Sequence, residues 1–220
     1  MPIQRYRPNF TSLTEDQLVP WHDVPPAIVS DIMNRSQVMD GRIKPIQYGS
    51  RICGQARTVN VMVGDNGAPH MLIGLMEPGE IMVINAGGFL GTAVWGGIMT
   101  RAAMQRGIGG IVVDGAVRDV SEIRELGFPT FAAGAVPAGP HKGYGGVIDG
   151  IISCAGCPVK SGDIVIGDDD GVAVVPLERQ EDLLVKSQEK IAQENETNAN
   201  TAKGALPGDR LGLGEAEWLE

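Results

Sequence analysis

Gly107-Ile-Gly-Gly-Ile-Val-Val-Asp-Gly-Ala-Val-Arg-Asp-Val120 is the stretch on which the fold of this chain turns. Gly110 to Asp114 is a short apolar run without polar alternation, the pattern of a strand buried on both faces. Before it, Thr92 to Arg106 reads as a helix with Ala93, Ile98, Ala102 and Met104 available for packing, closed by a C′ glycine at Gly107. After it, Asp119 to Leu126 reads as a short helix ended by Gly127. Asp119-Val-Ser-Glu122 has the form of a capping box, with Asp119 as N-cap and Glu122 at N3. Further out, Glu80 to Asn85 and Thr130 to Ala133 are apolar strands. Strand, helix, strand, helix, strand is α/β grammar with buried, partly parallel strands.

The flanks extend this pattern. Pro25 to Arg35 reads as a short helix and Arg51 to Val63 as a strand, followed by a turn at Gly64-Asp65-Asn66-Gly67. Met71 to Met76 reads as a short helix closed by Pro78-Gly79. Beyond the Gly- and Pro-rich loop from Gly134 to Gly146, three more strands are expected at Val147–Ser153, Asp163–Ile166 and Gly171–Val175. Asp168-Asp169-Asp170-Gly171 forms the hairpin turn between the last two. Leu177 to about Glu196 reads as a long amphipathic helix, with Leu183, Leu184, Ser187 and Ile191 on its inner stripe. One domain over 1–197 is expected, with a polar tail over 198–220.

Composition excludes several function classes. Glycine makes up 31 of 220 residues without a three-residue repeat, and apolar residues make up 43%, so the chain is neither collagen-like nor disordered. No apolar run reaches the roughly 20 residues that span a bilayer, and no signal-peptide h-region is visible. The net charge is −9, and Leu177 to Glu220 holds 10 acidic and 5 basic residues. No basic stripe for a nucleic-acid backbone is present. Cys53, Cys154 and Cys157 are too few for a disulfide framework and fit a reducing cytoplasm. Cys154-Ala-Gly-Cys157 lacks a second ligand pair for zinc, and reads as buried thiols.

The glycines concentrate where chemistry is expected. Ala86 to Gly150 holds 16 of the 31 in 65 residues. Such clusters at strand ends mark tight turns or a ligand lying on bare amides. Gly87-Gly88-x-x-Gly91 has neither the dinucleotide nor the Walker spacing. The amides of Gly97, Ile98 and Met99 could bind a carboxylate if they open a helical turn. Arg118-Asp119 follows a buried strand, where open α/β sheets place ligands. There an aspartate can hold a hard divalent cation while the guanidinium clamps an acid in a bidentate fork. Asp168-Asp169-Asp170 reads as a solvated turn and His70 as a packing histidine. Lys142, in a glycine-rich loop with exposed flanks, could be a phosphate contact or a Schiff-base lysine, the second of which needs a desolvated amine.

The opening stretch resembles the signature of the RraA-like family. So do Glu125-Leu-Gly-Phe-Pro-Thr-Phe-Ala and Ser161-Gly-Asp-Ile-Val-Ile-Gly-Asp-Asp-Asp-Gly-Val-Ala-Val-Val-Pro, and the likeness runs from about residue 25 to about 196. The resemblance implies a compact layered α/β fold with a barrel-like mixed β core flanked by helices. It implies trimers, often stacked into hexamers, with the active site between subunits. It also implies class II 4-hydroxy-4-methyl-2-oxoglutarate aldolase or oxaloacetate decarboxylase activity, a metal-dependent carbon–carbon lyase acting on small 2-keto acids. Carried over, Asp119 would ligate Mg²⁺ or Mn²⁺ and Arg118 would hold the keto acid. The amides of Gly97, Ile98 and Met99 would bind its carboxylate, and Glu194 would reach a neighbour's site from the last helix. The family's aldolases carry an acid at the position aligned with Gly97, so this chain departs from them there. Retro-aldol cleavage and β-decarboxylation leave the same enolate, so one site can perform both. The alternative within the family is a protein that binds and inhibits an RNA-degrading endonuclease. A menaquinone-precursor methyltransferase ranks last, since no adenosylmethionine-type glycine loop is present.

Overall fold

The computed structural model describes residues 2–219. In chain order its strands are β1 (Ile3–Arg5), β2 (Lys44–Pro45), β3 (Ile52–Val61), β4 (Ile81–Asn85), β5 (Ala93–Trp95), β6 (Gly110–Val117), β7 (Thr130–Ala135), β8 (Gly146–Ile148), β9 (Ile152–Cys154), β10 (Cys157–Val159), β11 (Ile164–Asp168) and β12 (Gly171–Val175). Its helices are α1 (Glu15–Leu18), α2 (Pro26–Ile32), α3 (Gly67–Ile73), α4 (Gly97–Gln105), α5 (Val120–Leu126), α6 (Gln180–Thr201) and α7 (Pro207–Leu211).

The sheet runs β1-β8-β3-β4-β6-β7-β2. β3, β4, β6 and β7 are mutually parallel, and β5 adds parallel to β6. The long strand β3 serves two antiparallel partners on its other side: β11 along its first half and β8 along its last residues. β12 continues from β11 and comes back near β2, so the mixed sheet curls into a barrel-like core.

Side-chain alternation sorts the strands into layers, because successive residues of a strand face opposite sides. Ile81 and Val83 of β4, Val112 of β6, Phe131 of β7, Val165 of β11, and Val172 and Val174 of β12 fill the interior. Met82 and Ile84, together with Ile111 and Val113, point outward and are covered by Leu72 and Ile73 of α3, Met99 and Ala103 of α4, and Ile123 of α5. Ile164, Ile166, Ala173 and Val175 point out on the other side, under Ile28 and Val29 of α2, Leu183 of α6 and Trp21. Each fully buried Val, Leu or Ile contributes about 1.5–3 kcal/mol. Ile81–Ile84 of β4 and Ile111–Val113 of β6 therefore read as apolar runs, because both faces are covered, whereas β3 buries Gln55, Arg57 and Thr58 and β6 buries Asp114.

Several elements differ from the sequence reading. The segment from Thr92 is not helical at its start. Ala93–Trp95 is β5, and the helix opens only at Gly97, because Ala93 donates to the Ala138 carbonyl and Arg118 to that of Trp95. α3 begins at Gly67 and not at Met71, because buried Asp65 accepts a hydrogen bond from the Gly67 amide at 2.8 Å. α2 ends at Ile32, ahead of the left-handed residues Asn34 and Arg35. The expected strand Val147–Ser153 is two strands, β8 and β9, broken at left-handed Asp149. β1, β2 and β10 are too short to leave a periodic signal. α6 passes through position 197 to Thr201, and the short exposed α7 follows in the expected tail. Met1 and Glu220 lie outside the described residues.

Of the packing residues expected on the helix from Thr92, Ala93 is buried but Ile98, Ala102 and Met104 face solvent, and Met99, Thr100 and Ala103 are buried instead, because the helix opens only at Gly97 and so turns another face to the sheet. The expectations for the last strands and the long helix hold. Leu183 and Ser187 are buried on the inner stripe of α6, with Leu184 and Ile191 packed beside them. Asp168 and Gly171 close the β11–β12 hairpin. In that turn Asp168 accepts from the Asp170 amide and Asp169 from the Gly49 amide. Cys154 and Cys157 face each other across the β9–β10 hairpin as free thiols. Burial pushes Cys157 up to about 12 and raises Cys154 further. Among the described residues, no helix is long and apolar enough to cross a membrane.

Candidate active site

Arg118 and Asp119 sit just beyond the C-terminal end of β6, at the same edge of the sheet as the start of α4. Asp119 has φ 58° and ψ 37°, the left-handed region. A residue with a Cβ pays roughly 1–2 kcal/mol for that conformation, although aspartate tolerates it better than most. Strain of this kind is held where the surroundings over-determine it, often at functional sites.

The left-handed turn also redirects the carboxylate. Asp119 stands at the N-cap position of α5, but its side chain makes no capping bond there. Its Oδ2 instead accepts the Gly97 amide at 2.9 Å, which caps α4, and lies 3.5 Å from Arg118 Nε. The capping box read from Asp119 and Glu122 is therefore absent. Glu122 turns to Arg101, with Oε1 accepting from Nε at 2.8 Å.

Two glycines make this packing possible. A Cβ on Gly96 would come within 2.6 Å of Asp119 Oδ2 and 3.0 Å of Arg118 Cγ. A Cβ on Gly97 would collide with the Glu122 carboxylate. Glu122 thus occupies the space that a side chain at position 97 would take. Gly139, on the opposite loop, leaves room for the Arg118 guanidinium, since a Cβ there would lie 2.6 Å from Nη1.

These residues line a cavity of about 240 Å³, with Asn66, His70, Trp95, Gly96, Ile98, Met99, Arg118, Asp119, Pro140 and Lys142 around it. Trp95 is buried, stacked on Phe128 and tied through Nε1 to Thr100 Oγ1 at 2.8 Å, which makes one wall rigid. The first turn of α4 forms another. The Gly97 amide is engaged by Asp119, whereas those of Ile98 and Met99 have no hydrogen-bond partner among the described residues. Two bare amides at a helix N-terminus favour an anion. Arg118 and Asp119 are each a little over one third exposed, so both reach the cavity and solvent.

Of the residues expected in the site, Arg118, Asp119, Gly97, Ile98 and Met99 are thus brought together by one chain. Glu194 is not. It lies on α6, which packs on α2, and pairs with Lys190 at 3.6 Å, with the same ammonium 3.6 Å from Asp31. The expected metal ligand is a single carboxylate, since no group of three His, Cys, Asp or Glu is placed to hold a metal ion among the described residues.

Asn66, His70 and Lys142 were not expected to meet there. The loop carrying Lys142 is bound to the turn before α3. His141 donates to the Gly64 carbonyl at 2.7 Å, the Asn66 amide donates to the His141 carbonyl at 3.2 Å, and Tyr144 donates to buried Asp65 at 3.1 Å. No local pattern announces a contact across more than 70 residues. The glycine density of the loop is the one signal that it bends back. His70 lies below its ordinary pKa because of burial and the nearby Lys142 charge, which favours a neutral imidazole.

Comparison with known proteins follows the same lines. The family model "Aldolase/RraA" matches residues 26–174. A Halalkalibacterium halodurans protein, provisionally named a 4-hydroxy-4-methyl-2-oxoglutarate aldolase, is 36% identical over 179 residues, covering 81% of this chain and 85% of its own. The 4-hydroxy-4-methyl-2-oxoglutarate aldolase of Thermus thermophilus is 30% identical over 148 residues, covering 67% and 90%. The solved structure of the RNA-processing inhibitor RraA from that organism superposes with a TM-score of 0.64 at 28% identity, covering 70% of this chain and 93% of its own. With its mixed barrel-like sheet, its long C-terminal helix and this match over most of its length, the chain belongs to the RraA-like family.

Proposed function

We propose that this protein is a divalent-metal-dependent lyase that cleaves a carbon–carbon bond of small 2-keto acids. The reactions are retro-aldol cleavage of 4-hydroxy-2-keto acids to pyruvate and decarboxylation of oxaloacetate. The observation that carries the reading is the Arg118–Asp119 pair, held over bare Gly96 by a left-handed turn and facing the first turn of α4. The aldolase names of the relatives support it.

The donor set fits Mg²⁺ or Mn²⁺ in one way. Asp119 Oδ2 is committed to Gly97, while Oδ1 has no partner among the described residues. Mg²⁺ commonly takes one or two carboxylates and fills its shell with water and substrate oxygens. Asp119 would hold it so. When bound, the cation supplies Lewis-acid stabilisation of the enolate charge left by bond cleavage.

The chain's own residues bind and orient. Arg118 engages the keto acid end through its fork of donors. The Ile98 and Met99 amides take the carboxylate at the positive end of α4. Trp95, Met99 and Pro140 keep water from that face of the substrate. Glu122 occupies the space that a side chain at Gly97 would take, but it is paired with Arg101 and does not line the cavity. A second copy would bring Glu194 to the site, which requires the trimer or hexamer. The half-exposed side chain of Glu194, loosely paired at 3.6 Å, is free to do so.

The test is oxaloacetate decarboxylation and pyruvate release with Mg²⁺ and with chelator, in wild type and Asp119→Ala. Activity is expected only in the wild type with metal. Activity surviving both treatments would overturn the site. Absence of turnover on oxaloacetate and on a set of 4-hydroxy-2-keto acids would overturn the lyase reading in favour of a binding protein that inhibits an RNA-degrading endonuclease; the Thermus protein is named an RNA-processing inhibitor.

A further inference from the structure

A second cleft opens at the C-terminal mouth of the barrel, away from Arg118 and Asp119. Asn60 of β3, Asn85 of β4 and Asp114 of β6 are register partners near the ends of three parallel strands. Each stands an even number of residues after an interior side chain, Ala56, Val83 and Val112 respectively, so the three form a polar rung on the interior face. Both oxygens of Asp114 are engaged, by Arg42 at 2.9 Å and by the Ala155 amide at 2.8 Å. Asn85 donates to Asn60 Oδ1 at 2.7 Å and accepts from the Gly87 amide at 3.0 Å, which leaves Asn60 Nδ2 without a partner among the described residues. The two asparagines line a cleft of about 740 Å³, within the roughly 300–1,000 Å³ of small-molecule sites. It shares no lining residue with the cavity at Arg118, whose Trp95 and Met99 belong to the outer layer. The carboxyl ends of parallel strands are where open α/β sheets take ligands.

Another wall of the cleft is a strap, Tyr6 to Asn9, that precedes the residues shared with the family. The strap is pinned on both sides. The Tyr6 amide donates to the Ile148 carbonyl at 3.0 Å, and Arg5 donates to Asp149 at 3.2 Å. Further along, buried Gln55 accepts from the Leu13 amide at 2.7 Å and donates to the Thr11 carbonyl at 3.1 Å. Arg7 is held at the cleft between these anchors, yet it is exposed and has no ion pair or hydrogen bond among the described residues.

The charged lining is Arg7, Lys160 and Asp149. Asp149, left-handed at φ 60°, has both oxygens committed to Arg57 and Arg5, so its charge is answered inside the protein. Lys160 is tied to Glu178 at 2.9 Å with both side chains exposed to solvent, a pair worth about 0–1 kcal/mol that an incoming anion can replace. On a chain of net charge −9, the cleft therefore presents two cations and no unmatched carboxylate in its lining. Its uncharged polar side chains include Asn9 and Ser153, which make no side-chain hydrogen bond among the described residues. Amides and hydroxyls both donate and accept, which matches the hydroxyls of a polyol. Tyr6 and Ile151, both exposed, add apolar surface beside them.

We infer that this cleft binds a phosphorylated polyol, a sugar phosphate in class. The phosphate meets Arg7 and Lys160, where the guanidinium fork matches its oxygens. The hydroxyls meet Asn60, Asn9 and Ser153, and the carbon skeleton lies on Tyr6 and Ile151. The site is independent of the lyase reading, because no residue of the Arg118 cavity takes part.

The experiment is calorimetric titration of the full chain with ribose 5-phosphate, glucose 6-phosphate and glycerol 3-phosphate, against glucose, inorganic phosphate and AMP. Wild type, Arg7→Gln, Arg7→Lys, Asn60→Asp and Arg118→Gln are compared. Wild type is expected to bind at least one of the three esters about 10-fold or more tightly than glucose or inorganic phosphate. Arg7→Gln weakens that ester about 10-fold, as loss of one charge-assisted hydrogen bond allows, and Arg7→Lys recovers part of the loss. Arg7→Gln leaves Tm unchanged, since the side chain it removes is exposed and unpaired. Asn60→Asp keeps the acceptor for Asn85, adds a negative charge and weakens the ester. Arg118→Gln binds it as wild type does. No ester bound better than inorganic phosphate, or wild-type affinity in Arg7→Gln, would overturn the site. Loss in Arg118→Gln instead would place the ligand in the other cavity and overturn it equally. AMP bound about 10-fold more tightly than every ester would replace the sugar phosphate with a nucleotide. Pyruvate release is measured separately, so the lyase reading stands or falls on its own assay.

Discussion

Gly96→Ala is the substitution that most directly tests the Arg118–Asp119 site. Gly96 has φ −168° and ψ −172°, extended backbone that any residue adopts, so alanine brings no backbone strain. What it brings is a methyl group 2.6 Å from Asp119 Oδ2, 3.0 Å from Arg118 Cγ and 3.2 Å from Arg118 Nε. Restoring an ordinary contact of 3.4 Å moves the carboxylate oxygen by roughly 0.8 Å. A misplacement near 1 Å costs up to about 100-fold in rate, so kcat/KM should fall about 10- to 100-fold, or ~1.4–2.7 kcal/mol. Stability should change little. Loss of the Asp119 bond to the Gly97 amide costs about 1 kcal/mol, roughly 2–4 °C in Tm for a domain of this size. The assay is pyruvate release with Mg²⁺ alongside thermal unfolding, with Gly41→Ala as a control, since a Cβ at Gly41 meets nothing within 4 Å. Wild-type kcat/KM in Gly96→Ala would refute the placement of the reacting groups beside Gly96. A fall in Tm beyond about 10 °C would show that Gly96 holds the fold rather than the site.

Further outcomes follow from other parts of the structure. Asp119→Gly and Asp119→Ala should both be inactive, but the glycine variant should be more stable than the alanine variant by about 1 kcal/mol in urea unfolding, because it relaxes the left-handed turn. Arg57→Met should cost about 3 kcal/mol in the same assay, because it takes from buried Asp149 the guanidinium that donates to it at 2.7 and 2.9 Å and leaves only the partly exposed Arg5 at 3.2 Å and Ser161. Burial alone would raise the Asp149 carboxyl, but the Arg57 hydrogen bonds outweigh it and hold the group below its usual value. Its contribution to stability is therefore present above the unfolded value of about 3.9 and is lost as pH falls through the lower folded value. Urea midpoints should accordingly fall less steeply below pH 4 in Asp149→Asn than in wild type. Cys53 and Cys157, each pushed up to about 12 by burial, and the still higher Cys154 should resist a thiol reagent at pH 8 until denaturant is added. Rapid labelling of the folded protein would contradict their placement.

The sequence by itself determined the central strands and the pair that follows them. Ile81–Ile84 and Ile111–Val113 are covered on both faces, so burial writes itself into composition as a short apolar run. Arg118 and Asp119 follow such a run and could be read from it. The ends of elements were less legible. Asp119-Val-Ser-Glu122 has a capping box's residues, but φ at Asp119 is set by what surrounds it, and the carboxylate caps α4 instead. Ala93–Trp95 looks helical until its pairing with β6 is known.

Only the tertiary structure decided what surrounds the pair. Glu122 comes to lie over Gly97 from a different helix, and Asn66 and Lys142 meet across more than 70 residues through backbone bonds between two loops. The physical reason is one of range. Periodicity and propensity report each residue's burial against its own element. Contacts between loops depend on where parallel strands end in space, and no neighbouring residue carries that information.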